Sequence, residues 1–232
     1  MDYEDFLELV KKRRSIRQFR PDPIPDEYID KIIEAARWAP SASNSQPWEF
    51  IVIKKPELKD KIVQLYQERM ALNYQIELAR EPKWRYPTMA KWIEGPLGLA
   101  KAPVFILACG DPRTMDVYPL SLSLELGPLT FYSNMASAFL YMHLAATTLG
   151  LGSQWASTVD YPSVQCHIKQ LLGIPKELEI YDMMAVGYPD TEPKPRLVRA
   201  KEEIVHHDCY EKDKFRTDEK IEDFVAALYG RR

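Results

Sequence analysis

Apolar residues along this chain follow two rhythms, one at helical spacing and one as short unbroken runs. Phe6, Leu9 and Val10 share a face and predict a helix over 2–12. Tyr28, Ile29, Ile32, Ile33 and Ala36 predict a second, from Pro25 to about Trp38. Pro25 suits a first helical position, Asp26 and Glu27 suit the positive end of the helix dipole, and Pro40 stops the element. Pro56 opens a third helix that turns Leu58, Ile62, Leu65 and Tyr66 inward. Unbroken apolar runs predict strands over 48–54, 103–109 and 181–186, with a shorter one over 154–159. A helix follows from Tyr161 or Pro162 to about Leu172, stopped by Gly173, and a last helical patch spans 221–228. Residues 80–100 are broken by Pro82, Pro87, Gly95, Pro96 and Gly98, and residues 110–128 read as a proline-rich connection.

One stretch stands apart. From Leu126 to Val159 there is no Asp, Glu, Lys or Arg, and 129–149 reads as one long helix ended by Gly150. Its length suffices for a membrane span. However, Ser133, Asn134, Ser137, His143, Thr147 and Thr148 interrupt it, and no basic flank sets an orientation. The expectation is a helix buried on nearly all sides, inside a domain or a dimer, with no membrane. Helices and strands mix without strict βαβ alternation, which favours an α+β fold over a doubly wound sheet. No linker or internal repeat divides the chain, so 1–232 reads as a single domain.

Charge narrows the function classes. A net charge of −3 and a pI near 5.9 argue against nucleic acid as a partner. The acidic start Met1-Asp2-Tyr3-Glu4-Asp5 has no apolar core of a signal peptide. Cys109, Cys166 and Cys209 are odd in number and far apart, which predicts neither disulfides nor zinc and fits a cytoplasmic location.

Two segments carry candidate chemistry. Arg13-Arg14-Ser15-Ile16-Arg17 offers guanidinium forks that grip phosphate, although a solvated basic helix end has the same composition. Pro40-Ser41-Ala42-Ser43-Asn44-Ser45-Gln46-Pro47-Trp48 offers short polar groups that could read a heterocycle's edge, or form an ordinary turn. Gly150-Leu151-Gly152-Ser153-Gln154-Trp155 falls short of the dinucleotide fingerprint. Trp155 replaces the third glycine, and the run follows a helix rather than a strand. No phosphate-binding GxxxxGK[ST] loop is present. His206-His207-Asp208-Cys209 lacks metal-site spacing, and His143 reads as a hydrogen-bonded core histidine. None of the cysteines has a visible activating partner. Trp84, Arg85, Tyr86 and Trp92 are either apolar cover for a core edge or a mobile lid that stacks on a flat substrate.

Together these motifs resemble the FMN-dependent nitroreductase superfamily. The matching features are Arg-Arg-Ser-Ile-Arg-x-Phe, the Pro40–Trp48 loop before a strand, the helix leading to Leu149-Gly150-Leu151-Gly152, and Val186-Gly187-Tyr188-Pro189 followed by Arg199. The resemblance implies a mostly antiparallel central sheet flanked by helices, in an intertwined homodimer with FMN at its interface. It implies a variable lid at about 67–100 and a C-terminal extension after about 205. Arg13, Arg14 and Ser15 would hold the phosphate and ribityl chain, and Arg17 the pyrimidine edge of the ring. Ser41, Ala42, Asn44 and Gln46 would come from the partner subunit, and Trp155, Ala156 and Ser157 would line the ring. Arg199 would complete the phosphate site, with Arg196 as the alternative. Ser15 stands where the flavin-destroying branch has Asp, and the lid shows no match to the Glu, Tyr and Lys of the deiodinase branch. The implied activity is ping-pong hydride transfer from a transient NAD(P)H, through FMN, to a small-molecule acceptor such as a nitroaromatic or quinone. The alternatives are a specialised flavin reaction such as reductive dehalogenation, and a non-catalytic flavin-binding protein. The resemblance requires no side-chain acid or base, and no catalytic residue is assigned.

Overall fold

The computed structural model describes residues 2–86, 89–93, 95–193 and 196–230. Its sheet has four strands: β1 (Trp48–Ile53), β2 (Val104–Gly110), β3 (Gly152–Ala156) and β4 (Glu179–Gly187). They lie in the order β1-β2-β4-β3, and each neighbouring pair is antiparallel. Every residue of β2 is buried, which is why 103–109 reads as an unbroken apolar run. Alternate residues still serve different layers. Phe105 and Leu107 join Met183 and Ala185 beneath α3 (Pro56–Leu78) and α6 (Pro162–Leu172). Val104, Ile106 and Ala108 join Met184 and Val186 beneath α2 (Asp26–Arg37) and α5 (Leu120–Thr148). The α+β, mostly antiparallel architecture expected from the chain is the one observed.

Three expectations need correction. Residues 110–128 are not a simple connection: a 3-10 turn spans Pro112–Val117, and α5 begins at Leu120. Pro128 misled the reading because a proline usually interrupts a helix; here it lies inside one. The third helix continues to Leu78, so the first part of the expected lid is regular helix. The short strand lies at Gly152–Ala156 and gives way to a 3-10 turn over Ser157–Asp160. Of the expected breakers at 80–100, Pro87 lies outside the described residues. Nearby, Pro82–Trp84 and Gly98–Lys101 are 3-10 turns on either side of a short α4 (Met89–Ile93).

Burial within the chain leaves two apolar faces uncovered. The first helix, α1 (Tyr3–Lys12), is capped reciprocally by Asp2 and Asp5, yet it buries no residue, and Tyr3, Phe6 and Val10 are exposed. On α5, Leu120, Leu124, Leu129 and Tyr132 are also exposed, so this helix is not covered on all sides by its own chain. No helix among the described residues is long and apolar enough to cross a membrane. The last helix, α7 (Asp218–Leu228), starts at a Thr217 cap.

Candidate functional site

The segment after α1 is laid across β3 and the end of β4 by backbone bonds. Ile16 N–H donates to Ser153 O at 2.9 Å, and Arg20 N–H donates to Tyr188 O at 2.9 Å. Ile16 and Phe19 are buried and pin the segment down, leaving Ser15 and Arg17 exposed. Gly152 makes this approach possible: a Cβ there would lie 2.8 Å from an Ile16 side-chain carbon. Gly150, at φ +72°, supplies the left-handed turn that ends α5 and starts β3.

Cations gather at the start of this segment. Arg13 is partly buried, and burial lowers its pKa first; the positive charges of Arg196 and Arg14 lower it further. Among the described residues, no ion pair involves Arg13, Arg14, Arg17 or Arg196. Arg199 points elsewhere. Its Nη2 donates to Glu203 O at 3.0 Å, and it lines a separate, highly charged cavity with Lys214 and Lys220. The structure therefore brings Arg196 to Arg13, whereas Arg199 is engaged with its own neighbourhood.

The Pro40–Trp48 loop is anchored by a residue the sequence reading passed over. Asn134 on α5 is buried; it accepts from Ala42 N–H at 3.0 Å and donates to Ser45 Oγ at 3.1 Å and Tyr118 Oη at 2.8 Å. Ser41 Oγ accepts from Gln46 N–H at 3.1 Å. Ser43, Asn44 and Gln46 all have positive φ, at 52°, 54° and 42°. Left-handed non-glycine residues store on the order of 1–3 kcal/mol of strain each and persist only where surroundings hold them. Asn134 supplies that hold. Asn134 and His143 are nine residues apart on α5, or about 13 Å along the axis at helical rise. Within the chain the loop therefore packs near Asn134, whereas Arg13 acts electrostatically on His143.

A cavity of about 420 Å³ opens beside Arg17. Tyr66 and Asn73 from α3, Gln154 and Trp155 from β3, and Ser157 help to line it. Gln154 is buried and its Oε1 has no hydrogen-bond partner. Ala156 is fully buried in the core and does not line the cavity, unlike its neighbours Trp155 and Ser157. The expected aromatic lid group is only partly visible. Tyr86 packs edge-on against Tyr229, whereas the side chain of Trp92 lies outside the described residues.

Behind the cavity sits a polar layer within an aromatic cluster. His143 Nδ1 is 2.7 Å from Ser153 Oγ, and its ring stacks on Trp155 at 5.4 Å with 7° between planes. Burial, then the charge of Arg13, pushes His143 down to about 3, so it is a neutral core histidine as expected. Asp182, also missed from sequence, accepts from Trp155 Nε1–H. Burial pushes its carboxyl up to about 7. A lone carboxylate inside the apolar run 180–186 was the available signal, because Asp is almost never buried without a partner.

The family model described as the Nitroreductase family matches residues 10–188. A protein of Methanothermobacter thermautotrophicus, provisionally named NADH dehydrogenase/NAD(P)H nitroreductase, is 31% identical over 83% of this chain and 81% of its own length. Iodotyrosine deiodinase 1 of Rattus norvegicus is 31% identical over 82% of this chain and 64% of its own length. An oxidised iodotyrosine deiodinase solved with FMN and 3-iodo-L-tyrosine superposes with a TM-score of 0.68, at 24% identity, over 88% of this chain and 99% of that one. The matched region takes in the Arg13–Arg17 segment, the Pro40–Trp48 loop and all four strands, and on that ground the chain belongs to the nitroreductase family.

Proposed function

We propose that this protein is an FMN-dependent oxidoreductase that takes hydride from NAD(P)H and reduces a flat acceptor such as a nitroaromatic or a quinone. The observation that carries the reading is the cluster of Arg13, Arg14 and Arg196. Like charges gather there, Arg13 and Arg14 half-buried and Arg196 exposed, without an ion pair among the described residues, and the same segment carries Arg17 to a cavity lined by Trp155. Such a cluster is stabilised by an anion, and guanidinium forks match the oxygens of a phosphate. The unpartnered Gln154 Oε1 at the cavity offers an acceptor for an N–H donor. These groups fit the phosphate and ring of FMN, which iodotyrosine deiodinase holds in its solved structure.

FMN supplies the hydride chemistry when bound. Arg13, Arg14, Ser15 and Arg196 would hold its phosphate end. Arg17 would place a positive charge where negative charge develops on the ring, which favours electron uptake. Trp155 and Ser157 would line the ring, with Ala156 behind them in the core. Ser41, Ala42, Asn44 and Gln46 would reach it from a second protomer, a reading supported by the separation of the loop from the Arg13 cluster along α5. The exposed apolar faces of α1 and α5 are what such a homodimer would bury. Residues 67–100 would form the cover over the acceptor.

The deciding experiment is the absorption spectrum of the purified protein, followed by anaerobic addition of NADH and then NADPH. Yellow protein that bleaches with either donor supports the reading; colourless protein that does not take up added FMN overturns it. Reductive dehalogenation is a second reading, favoured by the deiodinase relatives. Release of iodide from 3-iodotyrosine by the reduced protein, with no turnover of nitroaromatics, would select it.

A further inference from the structure

Asp182 is 5% exposed and lies on β4, an inner strand of the sheet. One oxygen, Oδ2, accepts from the indole N–H of Trp155. Ser157 also faces the carboxyl, yet Oδ1 is buried with no hydrogen-bond partner. Both neighbours, Trp155 and Ser157, line the cavity. The titratable groups around this carboxyl are Asp160 on the turn after β3, Tyr181 on its own strand and Tyr66 from α3. His143 of α5 stacks on the other partner of the bond, Trp155. None of these carries a positive charge at neutral pH, because His143 is held neutral, and the nearest cation among the surrounding groups is Arg17, which lines the same cavity and acts on Tyr66. Among the described residues, no ion pair reaches Asp182.

A buried carboxylate without a counter-charge is costly, whereas the acid form donates its own O–H and carries no charge. We infer that Asp182 is a positioning residue that fixes Trp155 in the cavity lining and holds a proton beneath the cavity. Its charge state is then set against whatever charge forms above that lining. A negative charge arriving in the cavity favours the protonated acid, and an ionised Asp182 opposes that arrival. Burial supports the same view by moving the carboxyl up to about 7, inside the working range of pH. The inference rests on the proposed flavin site for what arrives in the cavity, but not for the proton on Asp182.

The test has two arms. In flavin-free protein labelled with 15N-tryptophan, the Trp155 Nε1–H signal, assigned with Trp155→Phe, is followed from pH 5 to 9. The expected result is one titration step near neutrality, absent in Asp182→Asn. A Trp155 signal that stays flat, or that still titrates in Asp182→Asn, overturns the inference. The carboxyl signals of 13C-aspartate in the unsubstituted protein give the same answer if Asp182→Asn does not fold. In the FMN-loaded protein, the midpoint potential is measured at pH 6 and pH 8. Asp182→Asn should match the parent at pH 6 and lie higher at pH 8, where only the parent carries the buried negative charge. Equal potentials at both pH values overturn the coupling. A protein that binds no FMN defeats the proposed function, while the tryptophan titration still decides the assignment of the proton to Asp182.

Discussion

The side chain of Asn134 receives the backbone N–H of Ala42 at 3.0 Å, across 92 positions of chain. This one bond joins the middle of the long uncharged helix to the loop in which Ser43, Asn44 and Gln46 hold left-handed conformations. Replacing Asn134 with Ala removes three hydrogen bonds at a buried site. A loss of about 1–3 kcal/mol in urea unfolding is expected. Faster amide exchange should accompany it and stay confined to residues 41–46. Uniformly faster exchange across the sheet would show that Asn134 acts on the core rather than on the loop.

Arg196 and Arg199 should separate cleanly. Arg196→Ala removes a cation beside Arg13, whereas Arg199→Ala acts near Glu203. If the phosphate of FMN sits on the Arg13 cluster, Arg196→Ala weakens FMN binding by roughly tenfold to a hundredfold, as expected for a charged hydrogen bond of about 1.5–3 kcal/mol. Arg199→Ala leaves it near the parent value. Equilibrium titration with FMN measures both, and the reverse ranking would move the phosphate site.

Gly152→Ala places a methyl group 2.8 Å from Ile16. Overpacking of this kind costs about 1–3 kcal/mol. Removing volume from the partner should return part of the loss, so Gly152→Ala with Ile16→Val is expected to be more stable than Gly152→Ala alone. Thermal unfolding of the three proteins checks the order.

Stability should depend on pH in a way that exposes Asp182 against His143. His143 falls from 6.5 to about 3 on folding. The unfolded chain gains a proton below about 6.5 that the folded one refuses, so this contribution is complete above 6.5 and is lost as pH falls towards 3. Asp182 rises from 3.8 to about 7. The folded chain keeps a proton that the unfolded one releases, so this contribution is complete below 3.8 and is lost as pH rises towards 7. Between about pH 4 and 6.5 the two slopes cancel. Asp182→Asn removes one of them, so its stability relative to the parent should climb by about 1.4 kcal/mol per pH unit over that window. A constant difference in denaturant midpoints from pH 4 to 6.5 would contradict the assignment.

Leu124 and Leu129 are 76% and 67% exposed on α5. If that face forms the homodimer, Leu124→Glu with Leu129→Glu yields a monomer by light scattering, with diminished FMN retention because the partner loop is lost. An unchanged mass would place any dimer contact elsewhere.

Local physics alone was enough for much of the fold. Helical spacing located α1, α2 and α6, and unbroken apolar runs located β1, β2 and β4 to within a residue or two; burial on both faces of the sheet demands such runs in β2 and β4, whereas β1 is a half-exposed edge strand. The polar side chains of the Arg13–Arg17 run and of the Pro40–Trp48 loop were legible as site candidates by their joint resemblance to a family pattern, since each composition alone also suits a basic helix end or an ordinary turn. Three things depended on the tertiary structure. Pro128 is absorbed inside α5 rather than ending a helix before it, and no local rule gives that outcome. The charge of Arg196 rather than that of Arg199 acts on Arg13, because the register of an irregular tail is fixed by where it docks and not by its own pattern. Asn134 and Asp182 each read as a single polar residue in an apolar stretch. Their roles come from partners 92 and 27 positions away, and only folding brings those groups within reach of one another.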